Sequence, residues 1–121
     1  MHIAIIGTGR VGGALGKAWA ARGHQIHYAS RAPSAPRVRN LVEETQGGEA
    51  ATLDRALNGS ELAVLAVPWH AARQVIESAR ELSGKILVDA ANPILPDLSG
   101  LDLVGAASAA ERGAGWAPGA R

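Results

Sequence analysis

Apolar residues fall into short blocks along this chain, separated by stretches with helical spacing. His2-Ile3-Ala4-Ile5-Ile6 is a nearly continuous apolar run rich in β-branched residues and closed by Gly7. Such a run predicts a strand buried on both faces, as in a parallel sheet. Over residues 10–22 the period becomes helical, with Val11, Leu15, Ala18 and Trp19 able to share a face and Gly23 as the stop. Residues 25–29 predict a second strand. Ser34-Ala35-Pro36 opens a second helix with Pro in its first turn. Val38, Leu41, Val42 and Thr45 fall on one face of it, and Gly47-Gly48 ends it.

Residues 50–53 predict a short third strand and residues 54–57 a single helical turn, closed by Asn58-Gly59. The clearest buried strand covers residues 61–67, with Leu-Ala-Val-Leu-Ala-Val stopped by Pro68. A helix is expected over residues 70–82, with Val75, Ile76, Ala79 and Leu82 as its stripe. Residues 85–90 carry Ile-Leu-Val and predict a fifth strand, followed by a Pro-rich loop over 92–100. Strands thus alternate with helices. The pattern predicts an α/β fold: a doubly wound parallel sheet in the order 3-2-1-4-5, with helices on both faces.

Composition narrows the chemistry. The 121 residues hold no Cys, which excludes disulfide scaffolds, thiolate zinc sites, iron–sulfur clusters and cysteine nucleophiles. His2, His24 and His27 show no metal-ligand spacing, so no metal site is expected and these residues read as structural or exposed. Twelve Lys and Arg against 11 Asp and Glu give a net charge of +1, which does not support nucleic-acid or membrane-surface binding. No apolar run approaches the ~18 residues of a membrane span. No basic stretch precedes an apolar one at the start, so the expected setting is cytoplasmic. A length of 121 residues is that of one domain.

The motif that carries chemistry is Gly7-Thr8-Gly9-Arg10-Val11-Gly12, a G-x-G-x-x-G run between the first strand and the first helix. Gly7 permits the tight turn, Gly9 lets a pyrophosphate approach the backbone, and Gly12 lets the helix pack on the sheet. The helix N-terminus offers free N–H groups to phosphates. The second strand ends at Ala29-Ser30-Arg31, without the Asp or Glu that would hold the ribose hydroxyls of NAD. Ser30 and Arg31 instead suit a 2′-phosphate, which favours NADP. Arg37 and Arg39 either add charge there or form a solvated helix face.

Ala66-Val67-Pro68-Trp69-His70 closes the fourth strand at the edge where ligands lie in open α/β sheets. Trp69 either flanks the nicotinamide or packs on neighbouring loops. His70 is either an acid–base group or simply a helix start; hydride transfer between two cofactors obliges no such group. No catalytic residue is assigned. Asp89-Ala90-Ala91-Asn92-Pro93 ends the fifth strand on the same edge. Asn92 offers a donor and an acceptor to a carboxamide, or is a turn residue before Pro93. Asp89 is expected to organise the loop by accepting backbone N–H bonds.

Met1-His-Ile-Ala-Ile-Ile-Gly-Thr-Gly-Arg-Val-Gly-Gly-Ala-Leu, Gly23-His24, Ser30-Arg31, Ala66-Val67-Pro68-Trp69 and Gly84-Lys-Ile-Leu-Val-Asp-Ala-Ala-Asn-Pro together resemble the coenzyme F420-dependent NADP oxidoreductase family. The resemblance implies NADP held by Gly7 to Val11, Ser30 and Arg31. It places the nicotinamide near Pro68, Trp69, Asn92 and Pro93, with Val67 also among the cofactor-binding residues. It also implies hydride transfer between NADPH and a deazaflavin or flavin-type acceptor, coenzyme F420 being the family's own. In such proteins a sixth strand and a smaller helical region follow the fifth helix, which residues 108–121 resemble. The expectation is therefore a dinucleotide-binding domain over 1–121 without that C-terminal region, which helps the family build the deazaflavin pocket and the dimer. Two functions follow: an NADP-linked oxidoreductase, or a nucleotide-binding module or sensor without turnover. Small-molecule cofactors are the expected partners. The open edge of the fifth strand also predicts self-association or pairing with another chain.

Overall fold

The computed structural model describes residues 1–79, 82 and 84–90. Its elements run β1 (His2–Ile6), α1 (Arg10–Ala20), β2 (Gln25–Ala29), α2 (Pro36–Glu44), β3 (Gly48–Ala51), α3 (Leu53–Leu57), β4 (Leu62–Leu65), α4 (Trp69–Ser78) and β5 (Ile86–Asp89). The five strands form one sheet in the order β3-β2-β1-β4-β5, with every pairing parallel. This is the Rossmann-like arrangement expected from the β–α alternation, with β1 at its centre.

Alternation along β1 divides the core into two layers. Ala4 and Ile6 join Ala29, Leu57, Ala63, Leu65, Ala72 and Ile76 on one face. Ile3 and Ile5 join Ile26, Tyr28, Leu41 and Val64 on the other. A central parallel strand buried on both sides has no polar position to offer, which is why its sequence reads as a continuous apolar run.

Three elements depart from expectation. The buried positions of α1 are Gly12, Gly13, Gly16 and Ala20, while Val11 and Ala18 are exposed and Leu15 and Trp19 half-buried. The helix therefore packs through its smallest residues, because its axis lies too close to the sheet for larger ones. A β-carbon on Gly12 would collide with the Gly7 carbonyl and lie 3.1 Å from the Ile5 side chain, and one on Gly16 would collide with the Tyr28 hydroxyl. The third strand starts earlier than expected. Gly48 pairs with Ile26 instead of ending the helix, and Leu53 opens α3. The Gly48 N–H bonds the Thr45 carbonyl at 2.9 Å, and a side chain at 48 would press into Thr45. Finally, α4 ends at Ser78, whose hydroxyl donates to the Val75 carbonyl. Leu82 still reaches the core, but from the connection rather than from the helix.

The second helix behaves as its spacing predicts. Val38, Leu41 and Thr45 are buried and Val42 partly so. Thr45 donates its hydroxyl hydrogen to the Leu41 carbonyl at 2.7 Å, so the Tyr28 hydroxyl, 2.8 Å away, is the donor to Thr45. This chain of bonds ties α2 to β2 inside the core. Burial raises the Tyr28 pKa above its ordinary 10.0, against a lowering by the Thr45 bond and with a small push from Glu44.

Candidate nucleotide site

The carboxyl ends of β1, β2, β4 and β5 share one edge of the sheet, a direct consequence of parallel pairing. Beyond Ile6 the chain turns at Gly7, whose φ of +118° is one that side-chain-bearing residues rarely adopt. A β-carbon there would also strike the Ala66 carbonyl beyond β4. Gly7 is therefore fixed both by conformation and by the neighbouring strand.

Gly9 differs. Its φ of −80° suits any residue, and among the described residues no atom beyond its chain neighbours lies within 4 Å of where its β-carbon would be. No described residue beyond its chain neighbours therefore demands glycine here. Gly9 is also the N-cap of α1, with no side-chain cap bond and no acidic residue in the first turn. The helix therefore presents its unpaired N–H groups and partial positive charge uncovered. Val11 is 53% exposed beside them. An anion is what this arrangement accepts.

Ser30 and Arg31 follow β2 directly. The Ser30 N–H continues the ladder to the Ala51 carbonyl at 2.9 Å. The Ser30 Oγ accepts the Ala32 N–H at 3.0 Å, which leaves its hydroxyl hydrogen to donate outward. Arg31 is exposed. Together they stand at the carboxyl end of the strand next to the glycine turn.

Arg37 is brought to the same turn. It donates from Nη1 to the Thr8 carbonyl at 3.1 Å and from Nη2 to Thr8 Oγ1 at 3.2 Å. Sequence reading left this residue between a phosphate-site charge and a solvated helix face. The signal for more was Pro36, which starts α2 and so holds Arg37 in the first turn at this edge. Arg39 is exposed and makes no such bond to the turn among the described residues.

On the other side of Gly7, the Ala66 N–H bonds the Ile6 carbonyl at 2.8 Å. Val67 is half-buried, Pro68 is the N-cap of α4, and Trp69 and His70 are its first residues, His70 exposed. The orientation of the Trp69 ring lies outside the described residues, as do Asn92, Pro93, the 92–100 loop and the expected fifth helix. Asp89 ends β5 and is exposed.

His2, His24 and His27 lie away from this turn. His2 starts β1 and stacks on His27 with centroids 5.6 Å apart, and His27 lies 3.5 Å from Glu49. His24 Nδ1 is buried with no hydrogen-bond partner among the described residues. No group of three or more His, Cys, Asp or Glu among the described residues could hold a metal ion. No helix among them is long and apolar enough to cross a membrane.

Comparison with known proteins decides the family. The model of the NADP oxidoreductase, coenzyme F420-dependent, family matches residues 2–93. The chain belongs to this family. No curated protein sequence gives a significant match. Among solved structures, a candidate F420-dependent NADP-reductase from Arthrobacter sp. FB24 is 30% identical with a TM-score of 0.87, over 99% of this chain and 60% of that one. The hypothetical protein SMa0349 from Sinorhizobium meliloti is 30% identical with a TM-score of 0.80, over 98% and 57%. A reductive aminase from Aspergillus terreus, solved with NADPH, is 27% identical with a TM-score of 0.73, over 98% and 38%. This member of the family thus spans less than two thirds of the length of these relatives.

Proposed function

We propose that this chain is the NADP(H)-binding domain of an oxidoreductase that passes hydride between NADPH and a deazaflavin or flavin-type acceptor, coenzyme F420 in the first instance. The observation that carries the reading is Gly9, a glycine that no described residue beyond its chain neighbours crowds, at a helix N-terminus without a side-chain cap bond. Membership of the family and the NADPH-bound aminase neighbour support it.

In this reading the N–H groups of the turn and of the first turn of α1 hold the pyrophosphate, with Gly7 and Gly12 keeping strand and helix close. Ser30 donates to the 2′-phosphate and Arg31 pairs with it. Val67 and Pro68 flank the nicotinamide; the Trp69 ring, Asn92 and Pro93, which the family resemblance implies for that side, lie outside the described residues. When bound, NADPH supplies a hydride to the acceptor, which takes a further proton from solvent. No protein acid or base is required for the hydride itself, so catalysis here is positioning of two flat cofactors.

Titration with NADPH and NADH, followed by mixing with F420 or a flavin, tests the proposal. The chain is expected to prefer NADPH, and Arg31→Ala to weaken NADPH by about tenfold while leaving NADH nearly unchanged. Equal losses for both would show that Arg31 does not read the phosphate. NADPH binding without reduction of any acceptor would mark the chain as a binding module without turnover.

A further inference from the structure

We infer that Arg37 is a positioning residue for the phosphate-binding turn: it holds Thr8 in place from the first turn of α2, and does so for any dinucleotide rather than for the 2′-phosphate. The inference rests on the nucleotide reading above. Thr8 lies between Gly7 and Gly9, and two flanking glycines make its backbone the least constrained of the turn. Arg37 engages both acceptors of this one residue, the carbonyl at 3.1 Å and Oγ1 at 3.2 Å. A planar guanidinium making two such bonds fixes orientation as well as distance. Because the peptide group is planar, holding the Thr8 carbonyl also sets the Gly9 N–H.

The other end of this strut is rigid. Pro36 precedes Arg37 at the start of α2, and Val38 and Leu41 are buried behind it. The Tyr28–Thr45–Leu41 bonds fasten the helix to β2. Arg37 thus transmits the fixed position of α2 to a glycine-rich turn before any ligand arrives. Ordering the turn in advance removes part of the entropy that binding would otherwise lose.

The test is calorimetric titration of the full chain with NADPH and with NADH, for wild type, Arg37→Ala, Arg37→Lys and Thr8→Val, with melting curves alongside. Arg37→Ala should weaken both nucleotides by the same factor, roughly fivefold. Arg37→Lys keeps the charge but loses the fork, and should recover little of that loss. In the Thr8→Val background, Arg37→Ala should cost distinctly less than in wild type, because one of its two bonds is already gone. Arg37 is exposed, so the melting transition should stay in place. Loss confined to NADPH, or full rescue by Lys, would overturn the inference by showing that Arg37 acts on the ligand through its charge. Unchanged binding in Arg37→Ala would overturn it while leaving the nucleotide reading standing. Failure of the wild-type chain to bind either nucleotide would overturn that reading and the strut with it.

Discussion

The first crossover and the last described strand of this sheet are packed by opposite means. Between β1 and β2 the helix comes so near that glycines at 12, 13 and 16 are the contact surface. At β5 the sheet turns apolar side chains outward, with Ile86 45% and Val88 39% exposed. Both residues project to the face of Leu62 and Val64, their partners in β4, while Leu87 packs into the opposite layer. The first region gives up side-chain volume for closeness, which on the proposed reading leaves backbone within reach of a phosphate. The second carries area and little geometry. Substitutions in the first should therefore act through collision, and in the second through solvation and association.

Gly12→Val is the severest way to probe this contrast. Its side chain would enter the Gly7 carbonyl and the Ile5 methyl, and the helix can retreat only by opening the layer. A loss of about 3 kcal/mol or more in denaturant unfolding is expected, or failure to fold. A stable Gly12→Val chain would show that α1 is not pressed onto the sheet as described.

Tyr28→Phe probes the same region more gently. It removes the bond donated to Thr45, whose own hydroxyl hydrogen stays with Leu41. The expected loss is about 1 kcal/mol. It should also change the alkaline limit. The folded-state pKa is raised, so the unfolded chain ionises first. The stability that Tyr28 contributes is complete below the unfolded pKa of 10.0 and declines as pH rises above it. Stability measured from pH 8 upward should fall in the wild type, and less so in Tyr28→Phe.

At β5 the expected effect on folding is smallest. Val88→Lys should move stability by no more than about 0.5 kcal/mol, since the side chain already meets solvent. We propose that this outer strand supports self-association, and the substitution should then lower the sedimentation-derived mass at high concentration. A monomeric wild type across the concentration series would contradict it.

What the sequence made legible followed from periodicity. The order of strands and the central place of β1 follow from continuous apolar runs alternating with helical spacing. The glycine motif, its place between β1 and α1, and Ser30-Arg31 at the end of β2 were readable in the same way. The burial of α1 was legible only in part: Leu15 and Trp19 pack against the core as their spacing expects, but Val11 and Ala18 are exposed and the buried positions are three glycines and Ala20. Arg37 was ambiguous for another reason: its partner, Thr8, is distant in sequence, and only the fold brings them together. The boundary of β3 was shifted because Gly47-Gly48 reads as a stop, whereas the tight turn onto Thr45 lets Gly48 enter the strand.

The central claim is that Gly9 is kept open for a ligand and not for the fold, and Gly9→Ala measures this most directly. NADPH titration and thermal unfolding of this variant should be run beside the wild type. An added methyl meets no atom of the described residues within 4 Å beyond its chain neighbours, so the melting transition should move little. The same methyl stands where the pyrophosphate must approach, so NADPH affinity should fall by about tenfold or more. A folded Gly9→Ala chain that binds NADPH as tightly as the wild type would contradict the account.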